Sequence, residues 1–283
     1  MNICFLDQTS FAYNSKDINS YSLRGAETVL LNLAKSLVKL NNNVTIINNC
    51  PKNETISNIQ WMNINRLNKK LTFDLAVSNN DCRLFDKIIS KNKVLLSHSI
   101  QSFEKFLRKK QFISYYFHKP KVALLSKYHN DKRSFLTKIF GHFILPYGID
   151  DVFLNTDINK GFANNSKQAI FTSRSDRNLD LLLKIWVDKI FPKYKYGNLL
   201  ITPTKNFKEN YKKKNIFFRK TGDRKNLIYD LCCSRMFLIP GHKAELYCLA
   251  AEEARELCLP IVTLGIGSLS ERVIHNKTGF IAK

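Results

Sequence analysis

Cysteine is present, but never at the spacing that binds metal or staples a secreted fold. The seven are Cys4, Cys50, Cys82, Cys232, Cys233, Cys248 and Cys258. Their number is odd, no C-x-x-C pair occurs, and two of them are adjacent. This excludes a zinc ribbon and a disulfide scaffold. Several lie in apolar runs and read as small core residues, which implies a reducing compartment. Long apolar runs are missing too. The first, from Ile3 to Leu6, is too short for the apolar part of a signal peptide. No stretch approaches the ~18–20 apolar residues of a spanning helix. A cytoplasmic chain is expected, with any membrane contact peripheral. Glycine, at 10, and proline, at 7, are too few for a low-complexity or disordered chain. Acidic residues are the scarcest charged class, with 23 Asp and Glu against 45 Lys and Arg, a net charge of +22. Such a surplus concerns partners rather than fold. Nucleic acid, an anionic membrane and phosphorylated small molecules all fit. So does the coding bias of an AT-rich genome, since Lys, Asn and Ile are all abundant.

What is there is alternation. The 283 residues suit two α/β domains, and a 44% hydrophobic content can fill two cores. NICFLD at residues 2–7 reads as a strand. It is followed by a helix in which Val29, Leu30, Leu33, Leu37 and Leu40 recur at helical spacing. Further strands are expected at 44–47, 73–77, 94–97, 122–125 and 143–145, with helical character over 103–117. PYGID at 146–150 breaks the pattern, and the polar stretch 155–167 reads as an interdomain linker. A second series follows. Its strands are at 169–172, 199–202, 216–218, 236–239 and 261–264, and its helices at 179–190, 224–233 and 246–257. The expectation is two doubly wound parallel sheets, in domains 1–155 and 156–283, each binding ligand at the carboxyl ends of its strands.

Residues 241–254 (GHKAELYCLAAEEA) follow a strand and open a helix. Helix N-termini present unpaired N–H groups and suit phosphates or clustered hydroxyls. Glu245 and Glu253 lie eight residues apart, roughly 12 Å along a helix axis at 1.5 Å per residue. That is too far for an acid–base pair on one bond. It is a fitting span for gripping two ends of one long ligand. By spacing alone, two solvent-facing helix glutamates are the better account of the pattern.

The E-x7-E spacing after a strand, running into a Glu-Ala dipeptide, resembles the signature of the retaining glycosyltransferase family 4. PIVTLGIGSLSERVIHNKTGFIAK at the end of the chain resembles that family's closing pattern, with Glu271 and Gly279 at its characteristic positions. RGAETVLLNLAKSLVKLNNNVTII resembles its first loop and helix, and PYGIDDVF the close of its first domain. The resemblance spans nearly the whole chain in the correct order. It implies the GT-B fold, two Rossmann-like domains facing a central cleft. The first would hold the acceptor and the second the nucleotide-sugar donor. Members continue past the TGF turn, so their C-terminal crossover helix is expected to be missing from these 283 residues.

Residue by residue, the resemblance implies that Glu245 contacts the donor sugar and Glu253 the ribose hydroxyls. Leu246, Tyr247 and Cys248 would offer backbone N–H groups to sugar and phosphate. Many members carry a glycine there, and this chain has none. After the first strand of the second domain the chain reads FTSRSDRNLD, where Arg177 is the expected diphosphate ligand and Arg174 the second, with Asn178 standing for a glycine. Guanidinium donors there would stabilise a departing nucleoside diphosphate. His98, after a strand, is expected near the reaction centre. Gly25 and Ala26 form the acceptor and diphosphate loop, with Arg24 in place of the first glycine. No metal is required, and no cofactor beyond the nucleotide sugar as co-substrate. The expected acceptor is a glycan or lipid-linked glycan. The basic–aromatic stretch 103–121, with Phe112, Tyr115, Tyr116 and Phe117 among its lysines, would meet an anionic membrane surface. It could equally be a helix with a buried aromatic face. Nucleic acid is not expected, since no nucleic-acid module accompanies the charge. Two other functions fit: another enzyme on this fold, such as a nucleotide-sugar epimerase or a phosphorylase, or a non-catalytic basic module.

Overall fold

Apolar runs bounded by loops become parallel strands when both faces of a sheet are covered. In the computed structural model β1 (Asn2–Leu6) shows this directly, with every residue after Asn2 buried. The structure describes residues 1–19, 23, 25–158, 167–204, 209–220 and 222–282. The remaining strands of the first sheet are β2 (Asn43–Asn48), β3 (Glu54–Ile56), β4 (Ile59–Asn63), β5 (Leu71–Asn79), β6 (Ile88–Leu96), β7 (Lys121–Leu124) and β8 (His142–Ile144). Their order is β3-β4-β2-β1-β5-β6-β7-β8. The first connections step one way from β1 and the later ones step the other way, so the winding reverses between β1 and β5. All pairs are parallel except β3–β4. That hairpin turns through Ser57 and Asn58, both at positive φ, a geometry matched to strand twist. It lies in a stretch for which the sequence predicted no strand.

The second sheet contains β9 (Gln168–Phe171), β10 (Asn198–Ile201), β11 (Ile216–Phe218), β12 (Met236–Leu238), β13 (Ile261–Thr263) and β14 (Gly279–Ile281), in the order β11-β10-β9-β12-β13-β14. Its winding reverses between β9 and β12. β14 is a strand the sequence reading passed over. At Gly279 an added Cβ would lie 2.0 Å from Ile261 O, so only glycine lets β14 approach β13.

The chain divides into two units, Met1–Gly148 and Ile149–Lys283. The expected division at 155/156 gave helix Asp151–Leu154 to the first domain. Phe153 of that helix is instead buried in the core of the second unit, with Ile170, Phe171, Phe237 and Leu179. Of the expected linker 155–167, residues 159–166 lie outside the described residues.

Three helices differ from their expected form. Helix Gly25–Lys39 buries the stripe Glu27, Leu30, Leu31 and Ala34, while Leu40 lies beyond its end and is exposed. Residues 103–117 form two helices, Phe103–Arg108 and Phe112–His118. Lys110 at φ 53 closes the first, and Gln111 N–H turns back to Phe106 O at 2.8 Å. The helix expected at 246–257 runs only over Leu249–Glu256, because Cys248 adopts a left-handed conformation, φ 63 and ψ 72.

Candidate functional site

Where the winding of a parallel sheet reverses, the loops leaving two neighbouring strands part and open a crevice at their carboxyl ends. In the second unit these loops follow β9 and β12. The first carries Arg174 and Arg177, the second Glu245. They meet: Arg177 Nε lies 3.1 Å from Glu245 Oε2. Arg174 joins through Asp176, whose Oδ2 is 2.5 Å from Arg174 and 3.6 Å from an Arg177 η nitrogen. Asn178 locks the loops together, its side-chain amide donating to Gly241 O. Asn178 itself is left-handed, φ 61, the conformation a glycine takes freely and asparagine tolerates better than most residues.

Glu245 is fixed from both sides. Its N–H donates to His242 O at 2.9 Å, and its carbonyl accepts from Ser268 N–H at 2.9 Å. Its carboxylate also accepts from Cys248 N–H at 3.1 Å. One of the backbone donors expected to serve a ligand is therefore held by Glu245. Leu246, Tyr247 and Cys248 are all buried. Burial raises the Glu245 pKa, and Arg177 pulls it back down. The loop can pass this closely only because Gly267 (φ +76) has no side chain. A Cβ there would lie 2.4 Å from His242 O and 2.9 Å from Glu245 O.

Glu253 stands apart from this pair. Since Glu245 precedes the helix rather than lying within it, the 1.5 Å rise does not measure their separation. Glu253 lies on helix Leu249–Glu256, in the field of Arg224, Asp150 and Arg219. Burial pushes its carboxyl up to about 7. Arg224 and Arg219 oppose that shift, and Asp150 adds to it. Asp150 is itself paired with Arg224 at 2.6 Å. The neighbouring Glu252 plays a different part. It is 2% exposed and anchored by Arg272 at 3.2 Å and by Arg255. Arg272 also covers the Tyr247 ring, 4.7 Å from its centroid. Glu271 is exposed, 3.8 Å from Arg272. Sequence spacing did not single out Glu252, Asp150, Arg219 or Arg224.

In the first unit the equivalent rim follows β1, β5 and β6. His98 follows β6. Its N–H donates to Asn80 Oδ1 at 2.7 Å, its Nδ1 meets the Tyr147 hydroxyl, and the two rings stack at 5.5 Å. Burial, with His129 adding, pushes its pKa down to about 4, so the ring is neutral at pH 7. Its Nε2 is buried without a partner among the described residues. Asp7, directly after β1, accepts from Tyr13 OH at 2.5 Å and Asn79 Nδ2 at 3.1 Å. Burial still holds its pKa up at about 6. Gly25 and Ala26 open helix Gly25–Lys39, and a Cβ on Gly25 would meet nothing within 4 Å. Glu27, one residue on, is buried, with Oε2 unpartnered among the described residues. Arg24 lies outside the described residues. Asp7, Tyr147 and Glu27 were missed by sequence reasoning. A carboxylate at the end of a first strand is the signal that could have found Asp7.

Among the described residues no group of three or more His, Cys, Asp and Glu could hold a metal ion, and no helix is long and apolar enough to cross a membrane.

No protein-family model matches the sequence, and no curated protein matches it. Solved structures do resemble it. HepE from Anabaena, in complex with UDP, superposes with a TM-score of 0.67 at 15% identity, over 100% of this chain and 86% of that one. Sucrose-phosphate synthase from Thermosynechococcus elongatus gives 0.66 at 11%, over 99% and 85%. WaaG, a glycosyltransferase involved in lipopolysaccharide biosynthesis, gives 0.63 at 11%, over 95% and 82%. At such identity the likeness is one of fold. The chain has two parallel-sheet α/β domains and the GT-B fold of these glycosyltransferases.

Proposed function

We propose that the chain is a glycosyltransferase that moves a sugar from a nucleoside diphosphate to an acceptor hydroxyl, with retention at the anomeric carbon. The observation that carries this reading is the Arg177–Glu245 pair on the two loops flanking the winding reversal of the second sheet, with Arg174 alongside. A sugar nucleotide needs fixed positive charge at the diphosphate and an acceptor of hydrogen bonds at the sugar hydroxyls. These side chains supply both within one crevice. In this reading the bond from the anomeric carbon to the diphosphate oxygen breaks first, through an oxocarbenium-like state. Arg177 and Arg174 hold the leaving charge, and the acceptor oxygen attacks from the same face as its proton passes to the departing diphosphate oxygen. Positioning and charge stabilisation carry the rate, with no protein nucleophile. Glu253 binds the ribose diol and ionises as it does so. The acceptor is a glycan or lipid-linked glycan in cell-surface polysaccharide or lipopolysaccharide assembly, met at the inner membrane face.

The test is direct. Wild-type protein is titrated with UDP-, GDP- and ADP-sugars, and slow donor hydrolysis is followed. One donor class is expected to bind. Arg177→Ala and Glu245→Ala are expected to weaken it at least tenfold, about 1.4 kcal/mol or more. Equal binding by both variants, or no binding of any donor, sinks the assignment. The anomeric configuration of the product, read by NMR, decides between retention and inversion.

A further inference from the structure

The first unit presents a face that its own core does not use. Residues 103–144 contain ten Lys and Arg against two Asp and Glu. Within them, helix Phe112–His118 sorts its large side chains by direction. Tyr115 is fully buried, and its hydroxyl donates to Thr137 O at 2.7 Å. Phe112 and Tyr116 pack on each other with ring centroids 4.5 Å apart, and Tyr116 meets Phe140 at 5.6 Å. Ile113 and Phe117, four residues apart, share one stripe of the helix. They are 82% and 79% exposed. Of the four Phe and Tyr residues of this helix, Phe112, Tyr115 and Tyr116 thus pack inward, and Phe117 stays out.

The elements beside this helix extend the outward surface. The Tyr116 hydroxyl donates to Leu136 O at 3.0 Å, which holds the turn Phe135–Thr137 against the helix. Phe135 is 82% exposed and Ile139 48%. Next comes β8, the edge strand of the sheet, with all three residues exposed, Phe143 and Ile144 among them. Lysines are interleaved: Lys119 after the helix, Lys121 at the start of β7, and Lys138 between Leu136 and Ile139, all exposed. Monomeric proteins seldom leave so many large apolar side chains on adjoining elements, and contiguous ones mark an interaction surface. Large apolar tips alternating with lysines suit the boundary between acyl chains and acidic headgroups. The excess positive charge disfavours a second copy of the same face.

We infer that this three-element face docks the protein on an anionic lipid bilayer, with Ile113, Phe117 and Phe135 entering the acyl boundary and Lys119, Lys121 and Lys138 at the level of the lipid phosphates. The inference rests on the proposed function only for its purpose, which is access to a lipid-linked acceptor.

Co-sedimentation of the full chain tests it, using vesicles of phosphatidylcholine alone and of phosphatidylcholine mixed with phosphatidylglycerol. Wild type is expected to pellet with the acidic vesicles, to stay in solution with the neutral ones, and to release at high salt. Ile113→Ser/Phe117→Ser/Phe135→Ser is expected to lower partitioning roughly tenfold or more. Lys119→Glu/Lys121→Glu/Lys138→Glu is expected to abolish the preference for acidic lipid. Circular dichroism and nucleotide-sugar binding, measured without vesicles, should match wild type for both variants. Wild type that ignores acidic vesicles, or a serine variant that binds them as well, overturns the inference. A lipid-free dimer abolished by the same serine variant also overturns it, because the face then belongs to a second copy. Vesicle binding without nucleotide-sugar binding would instead remove the transferase reading and leave the docking face standing.

Discussion

Arg174 and Arg177 each meet a carboxylate. Arg177 has both Glu245 and Asp176, and Arg174 has Asp176 at 2.5 Å. A diphosphate arriving there must compete with Asp176, which is half exposed and gains little from its pairing. Asp176→Asn removes that competition. Its expected effect is nucleoside diphosphate binding tighter by about two- to fivefold, with the gap to wild type shrinking as salt rises. Weaker binding in calorimetry would show that Asp176 orients the arginines instead. Glu253 makes a second prediction, from its raised pKa. Between its ordinary 4.5 and about 7 in the folded chain, the native state holds a proton that the unfolded state has released. Its contribution to stability is therefore full below pH 4.5 and is lost as pH rises through about 7. Glu253→Gln should gain about 1–3 kcal/mol over wild type at pH 8 and nothing near pH 4, while losing donor affinity. Denaturant melts at the two pH values check this. A gain that does not depend on pH would refute the ionisation argument.

The elements around the site show what the sequence could and could not convey. The loop after β12 holds its shape through Gly267, where a Cβ would strike His242 O and Glu245 O. Gly267→Ala is expected to cost about 2–3 kcal/mol, from the clash and the positive φ together, and to weaken the donor by displacing Glu245. Unchanged stability with unchanged donor affinity would mean that the loop yields without moving Glu245. The strand–helix alternation was legible because buried parallel strands are short apolar runs, and residues 216–218 were placed to the residue. Arg177 and Glu245 were singled out through their motifs. Their mutual 3.1 Å contact was not, because it joins loops 68 residues apart in sequence. The β3–β4 hairpin stayed hidden, since its strands are short and partly polar. The glycine absent between the two glutamates reads differently at this scale. Cys248 takes the left-handed conformation that glycine takes freely, so the bend is kept despite the side chain. Backbone strain of this kind is commonly tolerated at binding loops. It also sets the start of the helix at Leu249, so a rise counted in helical residues does not apply from Glu245 to Glu253.

At the scale of the whole molecule, the division of labour follows from the cores. The second unit encloses its own apolar cluster, from Phe153 on helix Asp151–Leu154 to Val273. The first encloses two others, with no residue shared. Arg174, Arg177, Glu245 and Glu253, together with Arg224 and Asp150 beside Glu253, all belong to the second unit. The exposed apolar face around Ile113, Phe117 and Phe135, His98 and Asp7 all belong to the first. If donor recognition rests on those side chains, a fragment spanning 149–283 should retain it. Such a fragment is within the size range of single domains and carries a closed core, so cooperative unfolding is expected of it. Its affinity for the preferred nucleoside diphosphate should lie within about tenfold of the full chain, a difference of no more than about 1.4 kcal/mol. Transfer to an acceptor should be absent. A folded fragment that has lost nucleotide binding altogether would mean that residues 1–148 supply an essential donor contact, with the Gly25–Ala26 loop the first place to look.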